Sequence, residues 1–307
     1  MTERLSPERW ANNLTQILNS VHGNGPDRFP VRVDQLAKDY SLERFPEDPV
    51  MLVHGEDLPT EIDGVLRRAP AHGKGWSIIF NRSVRSPGRI NFTLAHEFGH
   101  YLLHRHDYPD GIRCSREDML RWDSTYNQVE RQANVFAATL LMPLDDFRRQ
   151  ITPRVKPTLD DIGECAERYQ VSLTAAALCW LRYTERRSVL VTSRDGFILW
   201  SRSSPRALKT GLVIRTANVP PVPVPEASLP AQPDRLNDGN SAVTHGTGVW
   251  FNEPCEEIAL ISDRYDLAIS LLHLDDLPSF SDFSEENEEN DTYDRMIRRT
   301  PGSRWLE

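Results

Sequence analysis

The run His96-Glu97-Phe98-Gly99-His100 has the residue types and spacing of a metal-assisted hydrolase. On a helix, His96 and His100 stand one turn apart on one face, so two imidazoles can converge on one divalent ion. Glu97 sits beside the first imidazole and can reach a water on that ion without itself coordinating. Zinc lowers the pKa of such a water from about 15.7 to roughly 7, and a carboxylate can then take its proton as hydroxide attacks a peptide carbonyl. The competing reading is an ordinary helix with two surface histidines.

Two histidines leave such a site incomplete, because catalytic zinc usually has three protein ligands and one open position. His106 would give the metzincin spacing, but Leu103 stands where that motif has the glycine that lets the chain turn back. His104 lies about two helical turns from His96, too far along the axis to share the ion. Both read as helix-end histidines. A third candidate is Glu130, on the next helical segment at the edge of an apolar face. A carboxylate there needs a partner, since burying it alone costs several kcal/mol. That partner could be an arginine, the surface, or the metal, and the spacing leaves all three open.

The elements that must position these residues are partly visible. Ser86-Pro87-Gly88 is a helix start, and Phe92, Ala95, Phe98 and Leu102 recur at helical spacing as a stripe on a different face from the histidines. Gly99, costly within a helix, suits close approach of another element. Thr125 and Gln128 form a capping pair ahead of Val129, Ala133, Phe136, Ala137, Leu140 and Leu141, and Pro143 ends the helix. The polar stretch 107–123 reads as a loop whose Glu117, Asp118 or Asp123 could orient a histidine. Tyr101, Tyr126 and His104 are candidate oxyanion donors. Residues 61–66 and 76–81 have strand character; the second is either an edge that holds a peptide by backbone pairing or a core strand.

The run Phe92-Thr93-Leu94-Ala95-His96-Glu97-Phe98-Gly99-His100-Tyr101-Leu102-Leu103-His104 resembles the signature of the ImmA/IrrE metallopeptidases. So does Glu130-Arg131-Gln132-Ala133-Asn134-Val135-Phe136-Ala137-Ala138-Thr139-Leu140-Leu141-Met142-Pro143. In that family the first motif supplies two histidine ligands and the base, and the glutamate that opens the second is the third ligand. The resemblance therefore implies His96, His100 and Glu130 as metal ligands and Glu97 as base. It implies Zn(2+) as the metal, with Mn(2+) as the alternative. It also implies a helix-turn-helix transcriptional repressor as substrate, cut to release stress-response or mobile-element genes.

The composition suits an enzyme inside a cell. A chain of 307 residues with 39% hydrophobic content can build real cores, and a net charge of −9 argues against nonspecific attraction to nucleic acid or anionic membrane. No basic-then-apolar leader opens the chain and no apolar run is long enough to span a bilayer. Cys114, Cys165, Cys179 and Cys255 form no CxxC pair, so reduced thiols in the cytoplasm are expected.

Elsewhere, residues 7–20 and 31–40 read as packing helices, and 144–151 as a short helix before a boundary at Thr152-Pro153 and Lys156-Pro157. Residues 158–183 read as two helices around Gln170-Val171-Ser172, similar to the helix-turn-helix module of the family's radiation-response members. A DNA reader needs Arg, Lys, Asn or Gln on its second helix. Residues 172–181 have none, and Arg182, Arg186 and Arg187 come only at the end. A structural or protein-docking role is expected there, not sequence-specific DNA binding. Strands at 189–192, 196–200, 212–214, 249–251, 258–261 and 267–274 would make a small sheet domain, with 220–238 as an exposed loop. It resembles the sensor-like GAF region of the same branch, which would take a small-molecule effector; packing or partner contact is the alternative.

The expected fold class is α+β. A zincin-like metallopeptidase domain spans 1–157, a helix-turn-helix-like segment 158–187, a GAF-like domain 188–278, and an acidic disordered tail 279–307. The function implied is a cytoplasmic zinc endopeptidase acting on a repressor. Its rival is a regulatory DNA- or ligand-binding protein on a peptidase fold, with an idle or structural metal site.

Overall fold

The computed structural model describes residues 5–23, 25–69, 74–115, 125–232, 235, 242–262 and 267–276. Two helices come first, α1 (Pro7–His22) and α2 (Val33–Arg44). Ser6 caps α1 by accepting from the Arg9 N–H, and Ala11 and Leu14 enter the core. Strands β1 (Val50–Glu56), β2 (Ile62–Arg68) and β3 (Trp76–Asn81) lead to the long helix α3 (Pro87–His104), then to β4 (Gly111–Ser115) and helix α4 (Thr125–Leu141).

These strands form one sheet in the order β1-β3-β2-β4, with β1 parallel to β3 and the other pairs antiparallel. β3 is therefore an interior strand, paired on both sides, with Ile78 and Ile79 fully buried. Of the two readings left open for 76–81, the core strand is the one formed and the peptide-binding edge is not, because its backbone groups already serve two ladders. The edges are β1, which the sequence reading left unassigned, and β4, which lies inside the expected loop. Gly111 lets β4 enter: its φ is +107°, and a Cβ there would stand 2.3 Å from the Leu66 carbonyl oxygen.

Ser86 accepts from the Arg89 N–H at 3.4 Å and Pro87 fills the first turn, so α3 begins where the Ser-Pro-Gly run predicts. The helix is buried on nearly every side and not along one stripe. Nor is Phe92 on a separate face. Four residues before His96, its ring lies tilted against that imidazole with centroids 6.4 Å apart. Gly99 does mark a close approach: a Cβ would come within 2.9 Å of Phe136 Cδ1 and 3.3 Å of Ala133 Cα, both on α4.

Three more helices follow, α5 (Leu144–Gln150), α6 (Leu159–Tyr169) and α7 (Leu173–Leu181). A reciprocal Thr158–Asp161 capping box starts α6, and left-handed Gln170 turns the chain into α7. Asp146 fastens α5 to α6 by accepting from Arg168 Nε at 2.9 Å and from the Tyr169 hydroxyl at 2.7 Å. α7 buries Ala176, Ala177, Cys179, Trp180 and Leu181.

The rest is a six-stranded antiparallel sheet built from β5 (Arg187–Arg194), β6 (Phe197–Ser203), β7 (Val222–Pro223), β8 (Val243–His245), β9 (Cys255–Ser262) and β10 (Leu267–Leu274). The short helix α8 (Pro205–Lys209) follows β6. The order is β7-β6-β5-β10-β9-β8. Two expected strands are absent. At 212–214 the carbonyls of Leu212 and Ile214 accept from the Ser203 and Ser201 hydroxyls, at 2.6 and 2.9 Å, in place of a ladder. At 249–251 the chain makes a tight turn closed by Gly248 N–H donating to the Phe251 carbonyl at 2.7 Å.

One apolar core runs from Ala11 through Phe98, Phe136 and Trp180 to Leu271, and Val189, Val191 and Leu272 line the opposite face of the second sheet. Cys165, Cys179 and Cys255 are buried free thiols. Among the described residues no helix is long and apolar enough to cross a membrane. Glu117, Asp118, Asp123, the side chains of Cys114 and Tyr126, and the segment 279–307 lie outside the described residues.

Candidate metal centre

The site forms where α3 and α4 press together at Gly99. Close backbone approach lets side chains one turn apart on α3 meet a short carboxylate from α4. His96 Nε2 and His100 Nε2 are 2.9 Å apart, and the Glu130 carboxylate closes on both, at 3.1 Å from His96 and 3.3 Å from His100. Among the described residues, this is the group of histidine, cysteine and acidic side chains placed to hold a metal, with its ligand atoms within 4.8 Å of one another. All three side chains are buried. His106 is exposed beyond the end of α3 and takes no part, so the metzincin arrangement is not formed.

Glu97 is on the same helix, only 1% exposed. β2 passes over it, and only a glycine fits there: a Cβ on Gly64 would stand 2.7 Å from Glu97 Oε1 and 2.5 Å from Thr93 Cγ2. The strand thus covers the carboxylate without displacing it.

The electrostatics describe a hole for a cation. Burial alone would raise the Glu130 pKa, but the close His100 and His96 imidazoles hold it well below the usual carboxylate range. Burial also opposes charge on His96, yet its bond to Glu130 and the charges of Glu97 and Glu130 carry its pKa upward. Burial, aided by His96, pushes His100 down to about 4. The cluster therefore favours one positive charge between Glu130 and the imidazoles. Two imidazole nitrogens and a carboxylate are also the donor set that suits a borderline divalent ion.

Outer partners fix the rings. His96 Nδ1 donates to Asn134 Oδ1 at 3.0 Å. His100 Nδ1 lies 3.1 Å from His104 Nδ1, and His104 Nε2 lies 2.8 Å from Gln132 Oε1. His104 closes α3, the helix-end position expected from the sequence, but it is buried there, 4% exposed. Tyr101 is turned away from the site, its hydroxyl donating to the Asp48 carbonyl at 2.7 Å. Sequence reasoning missed Asn134 and Gln132. Asn134, one turn after Glu130 on α4, shares its face; Gln132, two residues on, does not, and carried no such signal.

The model of the IrrE N-terminal-like domain matches residues 51–179 of this chain. Residues 51–179 are thus similar to the IrrE N-terminal-like domain. The radiation response metalloprotease IrrE of Deinococcus deserti is 32% identical over 146 residues, which are 47% of this chain and 50% of that protein. The protein of the same name from Deinococcus radiodurans is 32% identical over 100 residues, 33% of this chain and 29% of that protein. The chain thus spans half or less of the length of these curated relatives. Both motifs that resemble the family lie inside the matched span, as do β2 to β4, all of β1 but Val50, and the helices that carry the metal-type residues.

Proposed function

We propose that this chain is a zinc-dependent endopeptidase with His96, His100 and Glu130 as metal ligands and Glu97 as general base. The observation that carries the reading is the convergence of two imidazole nitrogens and one carboxylate at a buried point beside Glu97. Zinc, with manganese as the alternative, suits the donor set. Bound there, it supplies the Lewis acidity that activates water near neutral pH and polarises a carbonyl.

The chain's own residues do the remaining work. The Glu97 carboxylate accepts a proton from the attacking water and passes it to the departing amine. Asn134 holds the His96 ring in place through Nδ1. An extended peptide pairs along β4, the sheet edge whose neighbour β2 covers Glu97; β3 is interior, and β1, the other edge, is separated from β2 by β3.

Family resemblance supports a helix-turn-helix repressor as the substrate, cleaved in the cytoplasm to derepress stress-response or mobile-element genes. Under the same reading, 1–157 is the peptidase segment, 158–187 a docking or packing segment, and 188–278 a sensor region open to a small effector. The buried apolar faces of α7 support packing in preference to reading DNA. The test measures metal content and cleavage of candidate repressors on one preparation, with Glu97→Gln beside wild type. One metal in both proteins with cleavage only by wild type supports the reading. A wild-type protein that binds no metal overturns it.

A further inference from the structure

His104 and Gln132 play no part in the reaction just described, yet they extend a line of polar contacts from His100 away from the metal point. The Gln132 side-chain oxygen can only accept a hydrogen bond, so the His104 Nε2 facing it at 2.8 Å carries a proton and donates. His104 is 4% exposed and meets an amide at that end, not a carboxylate, which suits a neutral ring. Its Nδ1 is then a lone pair, and it accepts from the His100 Nδ1–H at 3.1 Å. With its proton on Nδ1, His100 turns a lone pair on Nε2 toward His96 and Glu130, 2.9 and 3.3 Å away. The polarity of the whole line is set at its far end by one amide oxygen.

We propose that Gln132 and His104 form a relay that fixes the tautomer of His100, making both of them positioning residues for the metal centre. This rests on the metal reading of the cluster, but the tautomer exists without metal. α4 then has three separate duties along Glu130-Arg131-Gln132-Ala133-Asn134: one ligand and the partners that set both imidazoles. Outer partners of this kind typically change metal affinity about 10–100-fold.

The test is zinc affinity by chelator competition for wild type, His104→Ala, Gln132→Met and Gln132→Glu, with nitrogen-15 shifts of the histidines in the metal-free proteins. His104→Ala and Gln132→Met are expected to weaken zinc binding about 10–100-fold and to leave His100 a mixture of tautomers. Gln132→Glu sets a carboxylate against His104, favours a charged ring with a proton on both nitrogens, and is expected to displace the His100 proton from Nδ1 and weaken zinc binding as Gln132→Met does. Metal-free wild type with the His100 proton on Nε2 overturns the relay. So does unchanged zinc affinity in both His104→Ala and Gln132→Met, while the peptidase reading stands. A wild type that never binds zinc removes that reading and the relay together.

Discussion

Among the described residues, two buried histidine–glutamate clusters are built to opposite ends. Around Glu257, fully buried in the second sheet, every contact brings a donor to a carboxylate oxygen. Ser270 donates to Oε1 at 2.7 Å, the Leu229 N–H and Trp250 Nε1–H donate to Oε2 at 3.0 and 3.2 Å, and His245 Nε2 lies 2.7 Å away. The carboxylate is saturated and ties β8, β9, β10 and the 229–231 turn together. At Glu130, by contrast, two imidazole nitrogens and the carboxylate face one another, and all three are acceptors unless a proton or cation lies between them. A buried histidine–glutamate pair is therefore not a metal site as such. What separates the two is geometry: backbone, hydroxyl, indole and imidazole groups spread over both oxygens of Glu257, whereas two imidazole nitrogens and the Glu130 carboxylate converge on one point.

Substitutions at the first cluster should have the largest effects. Glu97→Gln is expected to lower cleavage by about 10²–10⁴-fold, as loss of a general base does, with metal content by atomic absorption unchanged. Metal loss from Glu97→Gln would move Glu97 into the ligand set and break the contrast between base and ligand. Glu130→Ala should release the metal while the helices persist, read by metal content and circular dichroism. Equal metal in Glu130→Ala and wild type would make Glu130 a structural acid like Glu257.

The sequence shows the metal helix well because its determinants are local. Ser86 and Pro87 start it, the two histidines are one turn apart, and Gly99 marks where α4 must approach. Less legible is everything set by rotation of one helix against another. Asn134, Gln132 and His104 become partners only when α3 and α4 meet at a particular angle, and no spacing within one helix states that angle. β4 is likewise invisible, since a five-residue strand in a polar stretch exists by pairing with β2. The apolar triplets 212–214 and 249–251 mislead for the opposite reason: hydroxyls of Ser201 and Ser203, and the Gly248 turn, outcompete so short a β signal. Grouping Phe92 with Ala95, Phe98 and Leu102 on a face apart from the histidines fails at Phe92, which sits four residues before His96 and meets its ring.

The second cluster predicts a different phenotype. Glu257→Ala leaves His245, Trp250 Nε1 and the Leu229 N–H without their shared acceptor. It should cost about 3–5 kcal/mol of stability, the usual result of removing one partner of a buried pair. Urea denaturation measures this, and metal content per folded molecule should not change. A stability loss under 1 kcal/mol would mean the donors find water or other acceptors, and the carboxylate would lose its standing as the tie between these strands.

A smaller effect separates the two regions by pH. His273, on β10, is 3% exposed; it accepts from or donates to Ser188 Oγ through Nδ1 at 2.9 Å, and its Nε2 lies 3.2 Å from the Pro157 carbonyl. Burial, followed by the nearby charge of Lys156, pushes its pKa down to about 3. The folded protein thus keeps this ring neutral where the unfolded chain, with an ordinary value near 6.5, takes up a proton. The unfolded state binds more protons, so stability rises with pH in this range. The contribution is complete above about 6.5 and is lost progressively as pH falls toward 3. Between pH 7.5 and 5.5 this one group should remove about 1.4 kcal/mol of stability. Urea midpoints at the two pH values, compared between wild type and His273→Gln, isolate it: the variant is less stable at pH 7.5 but should lose less on acidification. An equal loss in both proteins would assign the acid sensitivity elsewhere, and the metal-free cluster on α3 and α4 would then be the first place to look.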